Sequence, residues 1–566
     1  MIILGVSFLS DASACVLVDG ELVAAVGEER LNGVKLWHGV PHRAIAEVLR
    51  LAGLRLADVD VIATHGRSAP APDRAIYEQK AREIEAGRLD AATRDRQLAA
   101  LWSRFDHETS VLSTRTPAYL AEIASLGVPV LTYEHHEAHA ACAFFGSGWD
   151  AAAVITADGW GEDASHTLSL GSGLHLERIS HSHTFDSLGY FYGSITAALG
   201  FTAQRHEGKV LGLAAHCTEP RSYPVLREMI GLDAERRRFI GRMETGLYIP
   251  RFSNPALADV VATFPREDVA AAAQRVLEEL VCAHVESLGS EARRLALAGG
   301  VFANVRLNQR LAALPAVEEV FVYPNMGDGG LCVGAAWLAH AASAGARPAP
   351  LATCYLGTVI DDAAAATAIA EVGLEGRRSD DIAGDVAQLL AAGRVVARAT
   401  GAMEFGPRAL GHRSILFHAR DAGVNRWLNA QLQRSEFMPF APASLHDSAD
   451  TLYLGLDASR RSTPWMTITV DCTAEMRQRY PAAVHVDGTA RPQLVSPGLH
   501  PDLHAILSAY RGLTGESTLI NTSFNMHEHP IVCTAADSVR AFLAGRLDAL
   551  ALGSYIVERP GARSNT

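Results

Sequence analysis

The sequence predicts an α/β protein of two domains, and three observations support this prediction. Apolar strand-like runs alternate with amphipathic helical patterns on both sides of the chain's midpoint. With 566 residues, the chain exceeds the size of one ordinary domain. An Ala/Gly/Pro-rich stretch over 342–350 is typical of a linker, and the pattern restarts after it. We therefore expect one domain over 1–345 and a second over 346–566.

The element predictions rest on residue periodicity and turn signals. Asp19-Gly20 is a hairpin signal between two apolar runs, and Gly299-Gly300 and Gly401 follow two others. The predicted strands are 2–8, 14–18, 22–26, 152–157, 294–298 and 394–399. The predicted helices are 42–53, 74–105, 268–288, 361–373 and 380–392.

Composition argues against several classes of protein. The net charge of -13 does not favour a nucleic-acid or anionic-membrane partner, because binding phosphates requires basic patches. The eight cysteines are scattered without a Cys-x-x-Cys pair, which argues against disulfides and thiolate metal sites. The chain lacks a signal-peptide pattern and any apolar run of the roughly 18–20 residues that span a bilayer. We expect a cytoplasmic protein.

A histidine-rich segment, His135-His136-Glu137-Ala138-His139, is the first candidate site. On a helix, His135 and His139 would share one face at a spacing suited to one metal ion. The zinc-protease pattern His-Glu-x-x-His fails, because its second histidine falls on Ala140. A polar helix face without metal stays open as an alternative.

Two acidic loops strengthen the metal interpretation. Asp158 follows an apolar strand beside Gly159, and Asp328 lies in the glycine-rich turn Gly327-Asp328-Gly329-Gly330. Either aspartate alone is commonly a turn residue or a helix cap. Together with the histidine pair they would form an imidazole–carboxylate site suited to iron, zinc or manganese.

Glycine-flanked segments suggest phosphate contacts in both halves. Gly299-Gly300 would let backbone amides approach a nucleotide, and Lys209 is one of only three lysines. Arg408 and Arg413 lie in a Gly/Pro-shaped run over 404–414 and suit a dianionic phosphate. Hydroxyl and amide groups over 521–525 add hydrogen-bonding partners. For each of these segments, the alternative to phosphate binding is a structural role in a turn or a salt bridge.

Taken together, these strings resemble the carbamoyltransferase family that contains nodulation protein U, cephamycin carbamoyltransferase and the tobramycin-pathway carbamoyltransferase. The resemblance runs nearly end to end. It rests on the segments 11–14, 28–30, 135–139, 187–189, 207–214, 299–301, 406–414, 440–442 and 521–525.

The resemblance implies an actin-like (ASKHA) N-terminal domain with a metal and a nucleotide, followed by a YrdC-like α/β C-terminal domain. It implies that carbamoyl phosphate yields carbamate, which attacks ATP to give carbamoyl adenylate and pyrophosphate. An acceptor hydroxyl then attacks the carbamoyl carbon. The implied cofactors are ATP, Fe(II) or another divalent transition metal, and Mg(II) with ATP. The implied partners are carbamoyl phosphate, ATP and a hydroxylated small molecule, within a homodimer.

The resemblance also assigns residues. Lys35, His135, His139 and Arg408 are implied in catalysis. The implied metal ligands are His135, His139, Asp158 and Asp328. The implied nucleotide and phosphate contacts are Lys35, Lys209, Gly299, Gly300, Asn304, Asp328, Arg408, Arg413, Arg434, Ser523 and Asn525.

The sequence departs from the family pattern at three positions. Ser10 stands where many relatives have histidine, and Leu432 and Met438 replace two cationic positions, leaving Arg434. The sequence does not identify the acceptor. Carbamoylation of tRNA adenosine and a non-catalytic ATP-binding scaffold stay open as alternative functions.

Overall fold

A computed structural model describes residues 1–67, 69, 71–431 and 440–559. Arg434, Leu432 and Met438 lie outside the described residues. The strands are β1 (Ile2–Ser7), β2 (Ser13–Val18), β3 (Glu21–Gly27), β4 (Val61–His65), β5 (Val130–Tyr133), β6 (Ala151–Gly161), β7 (Ala164–Ser172), β8 (His175–His183), β9 (Ile230–Asp233), β10 (Arg238–Gly241), β11 (Arg294–Ala298), β12 (Glu319–Val322), β13 (Tyr355–Ile360), β14 (Arg377–Arg378), β15 (Val396–Ala399), β16 (Gly401–Glu404), β17 (Arg413–His418), β18 (Ala441–Leu445), β19 (Tyr453–Leu454), β20 (Val470–Cys472), β21 (Thr489–Ala490), β22 (Gln493–Val495), β23 (Thr518–Ser523), β24 (Ala549–Leu552) and β25 (Tyr555–Glu558).

The helices alternate with these strands, as the sequence predicted. They are α1 (Glu28–Asn32), α2 (His42–Leu51), α3 (Arg74–Ala86), α4 (Ala91–Ser110), α5 (Thr116–Ala124), α6 (His135–Ser147), α7 (Leu188–Ala198), α8 (Glu207–Ala214), α9 (Tyr223–Arg227), α10 (Ala258–Thr263), α11 (Arg266–Glu286), α12 (Val305–Ala312), α13 (Leu331–Ala344), α14 (Asp362–Glu371), α15 (Ile382–Ala391), α16 (Val424–Gln431), α17 (Ala449–Leu452), α18 (Ala474–Arg479), α19 (Pro501–Thr514) and α20 (Ala535–Ala544).

Two five-stranded sheets in the first part of the chain repeat one topology. The first has the order β3-β2-β1-β4-β5, and the second has the order β12-β11-β6-β7-β8. In both, the first three strands are consecutive neighbours, and two later strands extend the sheet in parallel from the first strand. A duplicated sheet of this order agrees with the actin-like expectation for this part.

The second part of the chain forms a mixed sheet of eight strands in the order β14-β25-β24-β15-β17-β23-β18-β22. Strand β17 pairs antiparallel with β15 and with β23, while β15 pairs parallel with β24. The α/β class is therefore confirmed in both parts. The YrdC-like identity of the second part stays a prediction.

By packing, the described chain separates into two compact units. The first contains Met1–Phe8, Leu17–Glu21 and Leu56–Pro350, and the second contains Leu9–Val16, Leu22–Arg55 and the residues from Leu351. The division into 1–345 and 346–566 stays a prediction about function. By packing, the second unit therefore also includes two segments from near the N-terminus, Leu9–Val16 and Leu22–Arg55.

The predicted elements agree with the observed ones within a few residues, with two differences. The charged stretch 74–105 is two helices, because Gly87 ends α3 and the Asp90 side chain caps the next helix by accepting a hydrogen bond from the Thr93 amide at 2.9 Å. The stretch 342–350 begins as the last turn of α13, which ends at Gly345 in the left-handed conformation. No helix among the described residues is long and apolar enough to cross a membrane.

Candidate metal centre and arginine loop

Helix α6 positions the two candidate histidine ligands. It begins at Glu134, whose carboxylate accepts hydrogen bonds from the amides of His136 and Glu137 at 3.0 and 2.9 Å. Arg178 forms an ion pair with the same carboxylate. This cap fixes the first helical turn, so His135 and His139 lie one turn apart with ring centres separated by 4.8 Å. The helical expectation for this motif is confirmed.

Two aspartates complete the cluster from the carboxyl ends of two strands that flank β11. Asp158 lies near the carboxyl end of β6, and Asp328 lies in the segment after β12. Because β6, β11 and β12 run parallel, their carboxyl ends meet at one edge of the sheet. The Nε2 atom of His135 lies 2.9 Å from Asp158 Oδ2 and 3.7 Å from Asp328 Oδ1.

These distances fit a single metal ion. One donor atom from each of His135, His139, Asp158 and Asp328 lies within 4.8 Å of the others. The Nε2 atom of His139 lies 3.3 Å from Asp158 Oδ2 and 3.5 Å from Asp328 Oδ1. Ligands bonded to one ion at about 2.0–2.2 Å are separated by about 3–3.6 Å in tetrahedral or octahedral geometry. The four histidine–aspartate distances, which run from 2.9 to 3.7 Å, are therefore close to coordination spacing.

The burial of this cluster supports the same interpretation. His135 and His139 are fully buried, and Asp158 is 6% exposed. His139 Nε2 and Asp158 Oδ1 are buried without a hydrogen-bond partner among the described residues. Buried polar atoms without partners cost free energy, and a bound cation would satisfy both. The two nitrogens and two oxygens form a donor set that suits iron, zinc or manganese.

The environment of the cluster shifts the pKa values of the two neighbouring histidines, His135 and His136, in opposite directions. Burial opposes a charge on His135, but the hydrogen bond and the charge of Asp158 outweigh it and raise the pKa of His135 to about 9. Burial lowers the pKa of His136 to about 4. Burial also opposes the charge on Asp158, yet the surrounding histidines lower its pKa overall. His135 and Asp158 therefore form an ion pair at neutral pH that a divalent cation can replace.

His136 lies beside the centre, with its Nε2 atom 3.6 Å from Asp158 Oδ1, but it does not belong to the ligand cluster. Its Nδ1 atom lies 2.8 Å from Thr156 Oγ1, and its Nε2 atom lies 3.1 Å from the carbonyl oxygen of Ala164. Both ring nitrogens are therefore used within the sheet formed by β6 and β7. Among the three histidines of the motif, only His135 and His139 belong to the cluster of possible ligands.

Three further residues shape the centre, and the sequence assigned none of them a role. A Cβ atom on Gly161 would lie 2.2 Å from the His135 ring, and one on Gly189 would lie 2.4 Å from the Asp158 carbonyl oxygen. The Ser187 hydroxyl donates to that same carbonyl at 3.0 Å and caps α7. The segment Ser187-Leu188-Gly189 thus packs against the backbone of Asp158, a candidate metal ligand, and donates a hydrogen bond to it.

The predicted nucleotide residues of the first unit occupy distinct environments. Gly299 has a φ of 98°, and a Cβ atom there would lie 2.3 Å from the Ala157 carbonyl oxygen, whereas nothing lies within 4 Å of a Cβ atom on Gly300. Asn304 caps α12 through the Leu307 amide at 3.0 Å and exchanges hydrogen bonds with Gln274. Lys209 is buried in α8. Their role in nucleotide binding stays a prediction.

Lys35 belongs to a different unit of the chain from those residues. It follows α1, is half-buried, and belongs to the segment Leu22–Arg55 of the second unit. In the same segment, Arg30 donates a hydrogen bond to the carbonyl oxygen of Gly406 at 3.0 Å. The structure thus groups Lys35 with the unit that contains Arg408 rather than with the unit that contains Gly299. Its catalytic role stays a prediction.

Glu404 organises the arginine loop, defined here as residues 404–414. This buried carboxylate accepts hydrogen bonds through Oε1 from the amides of Leu410, His412 and Arg413 at 2.7, 2.8 and 3.2 Å. Its Oε2 atom is buried without a partner among the described residues. Three amides on one oxygen bend the loop into a fixed turn. Sequence analysis included Glu404 in the motif but gave it no function.

The two predicted phosphate-binding arginines differ in their partners. Arg413 is fully buried, and its terminal nitrogens donate to the backbone carbonyl oxygens of Thr358, Gly401 and Cys533 at 2.9, 3.2 and 3.4 Å and also to that of Thr400. These contacts fasten the loop to neighbouring segments. Ligand binding by Arg413 stays a prediction, and its observed contacts are structural.

Arg408 has no such partners. Among the described residues, no carboxylate lies within salt-bridge distance of its guanidinium group, and its Nε atom is buried without a hydrogen bond. Burial alone lowers the pKa of Arg408 to about 10, so the side chain stays charged at neutral pH. A half-buried cation without a counter-charge is a strong candidate for binding an anionic ligand.

The distant motifs of the second unit meet at one edge of its sheet. Ser414 of β17 pairs with Ser523 of β23, and the Phe524 amide donates to the Arg413 carbonyl oxygen at 2.9 Å. The Ser523 hydroxyl donates to Asn525 Oδ1 at 2.6 Å. Ser523 and Asn525 therefore lie beside the arginine loop, as the prediction requires.

Comparisons with known proteins identify relatives along the whole chain. Residues 2–337 match the family model described as carbamoyltransferase N-terminus, and residues 387–559 match the model described as carbamoyltransferase C-terminus. Nodulation protein NolNO of Sinorhizobium fredii is 33% identical over 98% of this chain and 79% of its own length. An uncharacterized protein of Synechocystis is 32% identical over 98% of this chain and 96% of its own.

Solved structures are more distant. A crystal structure of full-length HypF in the phosphate- and nucleotide-bound form is 14% identical and covers 60% of this chain and 46% of that chain. Its TM-score of 0.32 is too low to support an argument from fold.

Proposed function

Because the chain belongs to the carbamoyltransferase family and is a transferase, we propose that it is an ATP-dependent O-carbamoyltransferase acting on a small molecule. Carbamoyl phosphate would be the carbamoyl donor, and carbamoyl adenylate would be the intermediate. The observation that carries the proposal is the buried cluster of His135, His139, Asp158 and Asp328 at the sheet edge of the first unit.

The proposed reaction has three balanced steps. Carbamoyl phosphate reacts with water to give carbamate and inorganic phosphate. The carbamate oxygen attacks the α-phosphorus of ATP, forming a P–O bond as pyrophosphate leaves. The acceptor hydroxyl then attacks the carbamoyl carbon, AMP leaves with the bonding electron pair, and the hydroxyl proton is released.

We assign the first two steps to the arginine loop. The guanidinium group of Arg408, which has no carboxylate partner among the described residues, would bind the phosphate of carbamoyl phosphate, for which burial strengthens the attraction. Glu404 would hold the loop amides in place through its three hydrogen bonds. The Ser523 hydroxyl at the same sheet edge would add a polar contact. Free carbamate decomposes in water, so its reaction with ATP at the same loop, before it can diffuse away, would protect it.

We assign the transfer step to the metal centre. Ferrous iron or another divalent transition metal would be held by the two histidines and two aspartates. When bound, the ion would supply a Lewis acid for a carbonyl or phosphoryl oxygen. His135 would give up its proton on metal binding, and His136 would keep the adjacent sheet in place through Thr156 and Ala164. Gly299 would hold the turn against the Ala157 backbone, and the open space at Gly300 would leave room for the nucleotide.

The direct test is pyrophosphate release from ATP by the purified chain with Mg²⁺ and carbamoyl phosphate. We expect release that depends on carbamoyl phosphate, with carbamate esters detected by mass spectrometry when hydroxylated compounds are added. Arg511→Ala is a matched control, because Arg511 pairs with Asp447 at the surface of the same unit. Absence of release with every acceptor and every metal would contradict the proposal and favour an ATP-binding scaffold.

A further inference from the structure

Both candidate aspartate ligands are held through their main chain by a serine. The Asp158 carbonyl oxygen accepts a hydrogen bond from the Ser187 hydroxyl at 3.0 Å. The Asp328 carbonyl oxygen accepts one from the Ser7 hydroxyl at 3.1 Å. Both serines are fully buried, and neither belongs to the element that carries its aspartate. The two contacts therefore repeat one arrangement, in which a serine distant in sequence fixes the backbone of a candidate metal ligand.

Asp328 depends more on such a contact than Asp158 does. Asp158 lies within the strand β6, whereas Asp328 begins a turn of three residues, Asp328–Gly330, that follows Gly327. Nothing lies within 4 Å of a Cβ atom on Gly327, so the backbone is not packed at that point. A glycine-rich turn loses much conformational freedom when it is ordered. A hydrogen bond to the Asp328 carbonyl oxygen therefore restricts the most mobile of the four ligand positions.

Ser7 is joined in turn to His65. The strands β1 and β4 are parallel neighbours that end at these two residues, and Ser7 Oγ lies 3.2 Å from His65 Nε2. Ser7 has a single hydroxyl proton and donates it to Asp328, so its contact with His65 requires the imidazole proton on Nε2. The Phe8 amide lies farther from the same nitrogen, at 3.4 Å. The hydrogen bonds thus lead from His65 through Ser7 to Asp328.

His65 also contacts a second candidate ligand. Its ring centre lies 5.6 Å from that of His135, with the two ring planes at 83°. The Phe8 ring stacks on His65 at 4.7 Å with the planes at 16°. The His65 side chain is fully buried, so its orientation is determined by these rings and by Ser7. One imidazole therefore touches both the histidine side and, through Ser7, the aspartate side of the metal centre.

Packing of the core alone does not account for these polar groups. A buried hydroxyl and a buried imidazole cost desolvation that an apolar side chain would avoid. Here the hydrogen bonds end at Asp328, which is a candidate metal ligand. Groups that hold metal ligands from outside the first coordination sphere orient those ligands and raise metal affinity.

We propose that Ser7 and His65 form a positioning pair that sets the place of Asp328 in the metal centre. His65 orients the Ser7 hydroxyl, and Ser7 holds the Asp328 carbonyl oxygen, so that the carboxylate faces the ion together with His135. Neither Ser7 nor His65 is part of the donor cluster found among the described residues. The inference rests on the metal centre of the proposed function. It goes beyond that function by giving a role to β1 and β4, which lie outside the elements that carry the four candidate ligands.

The test measures cobalt(II) binding to the full chain after removal of metal by a chelator, without ATP or carbamoyl phosphate. Cobalt(II) is the probe because its visible absorption bands depend on coordination geometry. We expect Ser7→Ala and His65→Leu each to weaken cobalt(II) binding by about 10-fold to 100-fold and to change these bands. His65→Gln should recover most of the affinity, because its side-chain amide can donate to Ser7 in place of Nε2.

Two matched variants control for the loss of a buried polar group. Ser194 of α7 is also fully buried, and its hydroxyl donates to the Phe191 carbonyl oxygen at 3.0 Å. His284 of α11 is also fully buried, and its Nε2 atom lies 3.1 Å from the Arg237 carbonyl oxygen. Ser194→Ala and His284→Leu should leave the cobalt(II) affinity and the absorption bands as in the wild type. Unfolding curves of the metal-free variants identify any loss of structure.

A chain that carries both Ser7→Ala and His65→Leu tests whether the two residues act as a pair. If His65 acts through Ser7, the double variant should lose less affinity than the product of the two single losses. Independent losses that multiply would overturn the inference. Wild-type affinity and bands in a folded Ser7→Ala, equal weakening in the two control variants, or no recovery in His65→Gln would also overturn it. Should Ser7→Ala not fold, the comparison of His65→Leu with His65→Gln decides.

Failure of this inference is distinguishable from failure of the proposed function. A wild-type chain that binds no cobalt(II) would remove the metal centre and this inference with it. Cobalt(II) binding by the wild type that Ser7→Ala leaves unchanged would remove this inference alone. The assay contains neither ATP nor carbamoyl phosphate, so absence of pyrophosphate release would remove the proposed donor chemistry and leave the positioning pair in place.

Discussion

The metal centre and the arginine loop both bury charged side chains, yet they do so for different reasons. At the centre, His139 Nε2 and Asp158 Oδ1 are buried, and neither has a hydrogen-bond partner in the described ranges of the chain. In the loop, both terminal nitrogens of Arg413 are satisfied by backbone carbonyl oxygens. Arg408, five residues earlier, is again without a partner among the described residues. The Nε atoms of both arginines lack partners among the described residues, so the contrast lies in the terminal nitrogens, and we propose that a charge without a counter-charge there indicates ligand binding better than burial does.

The largest expected effect is a difference in the free energy of unfolding between alanine variants of the two arginines, Arg413 and Arg408. Arg413→Ala removes several charge-assisted hydrogen bonds to buried carbonyls, and it should lower the free energy of unfolding by about 4 kcal/mol or more. Arg408→Ala should change it by less than about 1 kcal/mol, because Arg408 has no partner within the part of the chain that the structure describes. Chemical denaturation of both variants measures the difference. Similar losses in the two variants would remove the contrast between a structural and a ligand-binding arginine.

The next effect concerns metal affinity. His139→Ala removes one of the four donors, and it should weaken binding of a divalent transition metal by about 100-fold or more, since even outer-shell changes cost tenfold to 100-fold. Competition with a chelator, followed by elemental analysis, measures this affinity. His175→Ala should leave the metal affinity unchanged, because His175 is an exposed histidine of the same unit. Undiminished affinity in His139→Ala would show that the metal lies elsewhere.

Two adjacent glycines provide a smaller and more selective comparison. Gly299→Ala requires an unfavourable φ and places a Cβ atom 2.3 Å from the Ala157 carbonyl oxygen, so it should destabilise the chain by about 2–3 kcal/mol. Gly300→Ala has open space and should change stability by less than about 0.5 kcal/mol.

If Gly300 contacts the nucleotide, Gly300→Ala should raise the KM for ATP without lowering the melting temperature. Thermal denaturation and steady-state kinetics measure the two quantities. An unchanged KM would leave Gly300 as an ordinary loop residue.

The smallest expected effect concerns Asn304. Its side chain caps α12 and bonds to Gln274, so Asn304→Ala should cost about 1 kcal/mol of stability through loss of the cap. Asn304→Ser should restore most of that stability because serine is also a good cap. Thermal denaturation checks both. If Asn304→Ser instead impairs ATP binding as strongly as Asn304→Ala, the amide contacts the nucleotide.

Sequence reasoning succeeded where local pattern determines structure. The strands and helices follow from periodicity, and the spacing of His135 and His139 gives their shared helix face. Convergence of Asp158 and Asp328 on them follows from parallel strands that end at one sheet edge. The grouping of these four residues into a candidate metal site was therefore accessible from the histidine spacing and the two acidic loops, whereas the strand order that brings them together came from the structure.

Other features depend on tertiary contacts that no local pattern records. The carbonyl partners of Arg413 come from Thr358 and Cys533, which are far from it in sequence. Lys35 packs with the second unit because Leu22–Arg55 returns to it. Gly161 gave one usable signal, since glycine after Asp158-Gly159-Trp160 indicates a close approach that proved to be the His135 ring.

We assigned adenylate formation to the arginine loop and carbamoyl transfer to the metal centre. The most direct test of this assignment measures two products in the same reaction. Pyrophosphate and carbamate ester are followed with ATP, Mg²⁺, carbamoyl phosphate and an acceptor for Arg408→Ala and His139→Ala. We predict that Arg408→Ala loses both products, whereas His139→Ala keeps carbamoyl-phosphate-dependent pyrophosphate release and loses the ester. Wild-type pyrophosphate release in Arg408→Ala, or loss of pyrophosphate release in a folded His139→Ala, would contradict the assignment of the two steps.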